Sequence, residues 1–157
     1  MNQAEFIEAV KGCQESLRRY LTALCCGDSM AADDIAQDAL VKAWLALDSF
    51  RGDSTFATWV RRIAFNSFMN YRRKPDAHSL DEVAEMAAAS AADDSFRYQE
   101  LYNALSKLTP RERSSVVLFY LEGYSIKEIS KIEDSTEGAI KQHLSRGREH
   151  LRKLLNA

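Results

Sequence analysis

Near the C-terminus, Lys141, Gln142, Ser145 and Arg146, flanked by Arg148, fall on one arc of a helix-forming stretch. Arginine and lysine grip phosphates, and glutamine, serine and arginine reach base edges, so this set suits the major groove of duplex nucleic acid. A second set lies upstream, where Arg61, Arg62, Arg72 and Arg73 alternate with Phe65, Phe68 and Met69. Guanidinium groups that track phosphates beside rings that stack on bases suit unpaired nucleic acid. Packing of Phe65 and Phe68 into a helix buried on two sides is the competing reading. A third set, Asp34, Asp38, Val41 and Leu45, is acidic and apolar. Such a strip would repel DNA, and it reads as a docking face for a basic protein partner or as internal packing. No P-loop, paired catalytic acids or nucleophile-base set accompanies these groups, so the chain reads as a binder and not an enzyme. His143 and His150 lie on the sides of their helix and are assigned to no metal. Cys13, Cys25 and Cys26 lack both a C-x-x-C spacing and a nearby histidine. They read as reduced thiols, and nothing calls for a cofactor or metal.

The elements that must hold these groups are all helical: the periodic signals have helical spacing, and no hairpin dipeptide occurs. A first helix is expected over about residues 3–25 and a second from a cap at Ser29 to about Leu47. Asp48–Ser54 reads as a loop, and a third helix runs from Thr55 to Lys74, stopped by Pro75. On that helix Phe56, Trp59, Val60, Ile63, Ala64 and Tyr71 form the apolar arc. A fourth helix is expected over about 94–107. Thr109-Pro110-Arg111-Glu112 then combines a cap, a first-turn proline and a reciprocal glutamate, opening a helix that closes near Gly123. Ser125 and Glu128 form another capping box, opening a short helix that ends around Ile132. Asp134 tolerates the positive φ of a tight turn, and Thr136 caps a last helix of about 137–155. Helix, turn and longer helix make a helix-turn-helix. Ile140, Leu144, Gly147, Leu151 and Leu155 line its inner stripe, and Gly147 lets a neighbouring helix come close. A plain helical hairpin with a solvated charged face is the alternative.

Of 157 residues, 46% are hydrophobic and 28% charged, which excludes disordered and collagen-like chains. No apolar run approaches the roughly 18 residues that cross a bilayer, and no secretory signal is visible at the start, so a cytoplasmic protein without membrane insertion is expected. The net charge of −2 hides a segregated pattern. Residues 1–50 sum to −4, 51–75 to +5, 76–108 to −5 and 109–157 to +2. Two basic surfaces separated by an acidic stretch form a footprint for a polyanion. The fold class expected is all-α: two small helical domains at 1–75 and 94–157, joined by a flexible, acidic, alanine-rich linker at 76–93 in which Ser79 and Glu82 could cap a short helix.

In this order the two segments resemble RNA polymerase sigma factors of the extracytoplasmic-function (ECF) type, in the sigma-70 family. MAADDIAQDALVKAWLALDSFRGDSTFATWVRRIAFNSFMNYRRK resembles region 2, and LTPRERSSVVLFYLEGYSIKEISKIEDSTEGAIKQHLSRGREHLRKLL resembles region 4. The resemblance implies a factor that directs core RNA polymerase to promoter DNA and helps melt it. It implies that Asp34, Gln37 and Asp38, with Val41 beside them, dock on the β′ clamp helices, that region 4 meets the β flap, and that an anti-sigma factor regulates the chain. The Asp48–Thr55 loop and third helix would open the minus-ten element, the loop capturing an extruded base, with Trp59, Arg61, Arg62 and Asn66 around it and Arg72 and Arg73 beyond. Lys141, Gln142, Ser145, Arg146 and Arg148 would read the minus-thirty-five element, and the linker would thread toward the polymerase cleft. The chain departs from the family pattern at Ala36, Asp38, Asp134, Ala139 and Gly147, and Glu137 bears on promoter preference. A stand-alone helix-turn-helix repressor would have no use for the arginine-aromatic helix. A sigma-like decoy should lack Lys141, Arg146 and the third-helix arginines.

Overall fold

The computed structural model describes residues 1–74 and 96–155, and the acidic linker read at 76–93 lies outside the described residues. Among the described residues there are seven α-helices and no strand. Helix α1 spans Gln3–Leu24, and the Asn2 side chain accepts the Glu5 N–H at its start. Helix α2 spans Ser29–Leu45. Its cap is Asp28, not Ser29: Cys26 (φ 55°) and Gly27 (φ 95°) turn the chain so that Asp28 is extended and its carboxylate accepts the Ala31 N–H at 3.2 Å. The apolar periodicity that suggested helix to Leu47 ends instead in a 3₁₀ turn, Leu47–Ser49. Helix α3, Phe56–Arg73, is capped by Thr55 and gives way to extended backbone at Lys74, the residue before proline. These three helices pack on one another to form a first unit.

The second unit begins with α4, Phe96–Ser106. Helix α5, Pro110–Val116, opens on the full Thr109–Glu112 capping box, with both reciprocal bonds formed. It does not continue as regular α-helix to Gly123. Val117–Leu121 widens to a π-turn, with Glu122 N–H bonded to Val117 O, and the chain reverses at Gly123 (φ 78°). The Ser125–Glu128 capping box opens α6, Ile126–Ile132. Asp134 takes φ 51°, as a tight helix-turn-helix demands, and Thr136 accepts the Ala139 N–H at the start of α7, Glu137–Leu155.

One apolar core runs through both units. Leu17, Tyr20, Leu21, Ile35, Ala39, Val60, Phe65 and Phe68 fill the first, and Leu105, Val117, Leu118, Ile129, Ile132, Ile140 and Leu144 fill the second. The units are docked rather than apart. The hydroxyls of Tyr20 and Ser114 hydrogen-bond across the junction at 2.7 Å, and the buried Arg113 donates to Leu24 O, Leu105 O and Leu108 O. The three cysteines are buried and form no disulfide, and burial pushes the Cys13 and Cys25 thiols above their ordinary pKa.

Gly147 faces α5 so closely that a Cβ there would lie 2.7 Å from Val116 Cγ2, inside van der Waals contact. Val116 is itself buried and branched. Gly147→Ala should therefore lower stability by roughly 1–3 kcal/mol through overpacking, read as a lower thermal midpoint. Val116→Ala in the same chain should restore part of the loss.

Candidate nucleic-acid interface

Helix α7 is held by its inner stripe. Ile140 and Leu144 are buried and Leu151 is half-buried, whereas Lys141, Gln142, Ser145, Arg146 and Arg148 are all exposed on the outer arc. Arg148 is steadied by donating to the Tyr120 hydroxyl at 3.3 Å. The five residues singled out from sequence therefore form one solvent-facing row on a rigid helix, the arrangement that groove reading requires.

The turn that sets the angle of this helix hangs on a buried carboxyl. Ser115 donates to Glu133 Oε2 at 2.8 Å, and Arg111 donates to the Glu133 carbonyl at 3.1 Å. Oε1 has no hydrogen-bond partner among the described residues and lies 3.6 Å from His143 Nδ1. Burial raises Glu133 to a pKa of about 7, and burial with the nearby Arg111 charge lowers that of His143. Both shifts favour the uncharged form of the group they act on.

Helix α3 places its groups less uniformly. Arg62, Asn66, Arg72 and Arg73 are exposed and Trp59 is half-buried. Arg61 is not on the surface. It is 1% exposed, donates to Ser16 Oγ at 2.8 Å and Ala57 O at 3.3 Å, pairs with Glu122 at 3.5 Å and sits over the Tyr124 ring. Phe65 and Phe68 are buried as well, so internal packing, not base stacking, accounts for these two rings here. The physical reason is the second unit: α5 brings Arg111 over Phe65, and the segment after the π-turn closes on Arg61, giving α3 a second buried side that helical periodicity could not reveal.

Beside α3, the loop forms a cavity of about 360 Å³ lined by Phe50, Arg51, Asp53, Trp59, Arg62 and Lys131, with Ser49, Ser54 and Thr58 completing it. Its aromatic walls and cationic rim are of the kind that takes a flat base attached to phosphate. Lys131 comes from α6, and Arg62 pairs with Asp134 of the turn at 3.5 Å, so the second unit stands at the mouth of this cavity. The family resemblance pointed to the Asp48–Thr55 loop without singling out Phe50 or Arg51, and Lys131 was not foreseen, since it is brought in only by tertiary packing.

Helix α2 presents Asp34, Gln37, Asp38 and Val41 to solvent. Hydrogen bonding from Lys42, at 2.9 Å, holds the Asp38 carboxyl below its usual pKa. Met30, 79% exposed, Leu45, 77%, and Trp44 extend the strip with apolar surface. Met30 and Trp44 were not singled out from sequence. Large apolar groups standing in water beside carboxylates are the kind of surface that suits a protein partner.

A helix-turn-helix with a cationic reading row, an aromatic-basic cavity and a separate acidic docking strip defines a DNA-binding protein that works with a protein partner. Residues 9–78 match the family model "Sigma-70 region 2" and residues 98–151 match "Sigma-70, region 4". The ECF RNA polymerase sigma-E factor of Escherichia coli K12 is 33% identical over 132 residues, covering 74% of this chain and 69% of that protein. The RNA polymerase sigma-H factor of Pseudomonas aeruginosa is 31% identical over 144 residues, covering 82% and 75%. Among solved structures, the sigma factor RpoE of Bartonella quintana, in complex with the anti-sigma factor NepR, superposes with a TM-score of 0.74 at 25% identity over 98% of each chain. CnrH in complex with the cytosolic domain of CnrY gives 0.72 at 27% identity, covering 99% of this chain and 90% of that one. The chain belongs to the sigma-70 family, in its ECF group, and is an RNA polymerase sigma factor acting in transcription initiation at promoter DNA.

Because Glu133 is protonated up to about pH 7 when folded and only up to its ordinary range near 4.5 when unfolded, the folded state holds the extra proton between those values. Stability should fall as pH rises from about 4.5 to 7 and level off above, by on the order of 3 kcal/mol. The lowered pKa of His143 acts in the opposite sense, so the comparison that isolates Glu133 is with Glu133→Gln. Urea unfolding from pH 5 to 8 should show the Gln variant losing less stability over this span than the wild type.

Proposed function

We propose that the chain divides its work among three surfaces: α7 reads the minus-thirty-five element through Lys141, Gln142, Ser145, Arg146 and Arg148; α3 and the loop cavity open and hold the minus-ten element; and α2 docks on the β′ clamp helices through Asp34, Gln37, Asp38 and Val41. The observation that carries this reading is the solvent-exposed row on α7, set at a capped tight turn and backed by the buried Ile140 and Leu144. In this division residues 1–75 form the region 2 unit, 94–157 the region 4 unit that meets the β flap, and 76–93 the linker between them. The protein does no bond chemistry of its own and works in the cytoplasm.

The compact arrangement bears on the minus-ten assignment. Trp59, Arg62, Asn66, Arg72 and Arg73 stand ready around or beyond the cavity, whereas Arg61 reaches DNA only if the segment carrying Glu122 and Tyr124 withdraws. Holoenzyme assembly, in this reading, separates the two units and releases it. One solved structure of similar shape is a sigma factor in complex with the anti-sigma factor NepR, which supports an anti-sigma factor as a partner that holds this chain in its docked form.

Two variants separate the surfaces. Arg146→Ala should weaken duplex minus-thirty-five binding by roughly 1–3 kcal/mol while polymerase affinity stays unchanged. Asp38→Arg should weaken holoenzyme assembly about tenfold or more, since a basic partner would meet like charge, with the DNA contacts of α7 intact. Fluorescence anisotropy with labelled core polymerase, and runoff transcription over a promoter library, measure both. Unchanged polymerase affinity in the Asp38 variant would refute the docking assignment.

A further inference from the structure

We infer that Phe6, in the first turns of α1, is a positioning residue for the promoter cavity. The two aromatic walls of that cavity, Phe50 and Trp59, stand 5.1 Å apart between ring centroids. Both rest on Phe56, Phe50 edge to face at 5.8 Å and 88°, Trp59 tilted at 5.8 Å. Phe56 is only half-buried and needs a backing group of its own. Phe6 supplies it, edge-on at 5.7 Å, and is itself wedged on its other side by Trp44 of α2 at 5.2 Å. Phe6 is 8% exposed, so this is a core contact and not a surface encounter.

The need for such a wedge follows from the loop. Phe50 is tethered at its backbone by one local bond, its N–H donating to Leu47 O at 3.1 Å, and the chain then swings away through Gly52 at φ 79°. Ring packing must therefore set where the Phe50 wall stands. Edge-to-face pairs contribute about 0.5–1.5 kcal/mol each beyond the area they bury, enough to favour one wall position over its neighbours by up to about tenfold. Without Phe6, Phe56 can fall back toward α1, and the spacing between Phe50 and Trp59 goes with it. Phe6 precedes residue 9, where the match to the region 2 family model begins.

This inference rests on the reading of the cavity as the seat of an extruded minus-ten base, and the experiment distinguishes the two. Full-length wild type, Phe6→Ala, Phe6→Tyr and Trp59→Ala are assembled with core polymerase on a promoter selected by the wild-type holoenzyme, and permanganate reactivity of unpaired thymines reports melting. Phe6→Ala should reduce reactivity about tenfold with polymerase affinity and minus-thirty-five protection within about twofold of wild type, and the ring-retaining Phe6→Tyr should restore melting. Wild-type melting by Phe6→Ala, or a parallel loss of polymerase affinity, overturns the positioning role. Wild-type melting by Trp59→Ala overturns the cavity reading itself, whereas loss there alone leaves the cavity standing and removes Phe6. If Phe6→Ala does not hold its fold, Phe6→Leu, which keeps apolar volume without a ring, carries the same comparison.

Discussion

The structure depends on how one buried cation is satisfied. Arg113, on α5, is withdrawn from solvent, and its guanidinium donates at 2.8, 2.7 and 3.1 Å to the carbonyls of Leu105, Leu24 and Leu108. Leu24 is the last residue of α1 and Leu105 lies in the last turn of α4, so the charge meets two helix ends, whose carbonyls carry the negative end of the dipole; Leu105 O also accepts the Leu108 N–H at 3.1 Å. A buried charge left unpaired would cost several kcal/mol. The pairing therefore ties the end of α1 to the α4–α5 connection, and with it the first unit to the second.

From that tie the other cross-unit contacts follow. With α5 seated, Ser114 meets Tyr20, Arg111 covers Phe65 and the segment beyond the π-turn folds over Arg61. The π-turn matters here, because the wider turn at Val117–Leu121 re-aims the chain so that Glu122 and Tyr124 reach α3. The same docking leaves the α7 row and the α2 strip in solvent while it closes one end of the α3 face. The three surfaces are thus not equally exposed in one and the same arrangement.

Local rules made much of this legible. The capping boxes at Thr109 and Ser125, the positive φ of Asp134, the stop before Pro75 and the close approach at Gly147 each depend on a few neighbouring residues, and each is present. The α7 row was legible for the same reason: one helix with one buried stripe leaves the rest outside. The arginine-aromatic helix was not. Its periodicity describes a single buried side, and nothing local to Arg61, Phe65 or Phe68 announces that a segment more than forty residues later buries the other. The Ser29 cap failed more narrowly, since Asp28 is an equally good acceptor and the backbone turn at Cys26 and Gly27 decided between them.

That turn has a consequence for how the molecule meets reagents. Cys25 and Cys26 lie buried just before Gly27, where the Tyr102 ring from α4 approaches so closely that a side chain at Gly27 would strike it. A thiol reacts as its thiolate, and burial holds the Cys25 thiol well above its ordinary pKa. The same tight turn that sets the Asp28 cap therefore keeps this sulfur both out of solvent and in its unreactive form.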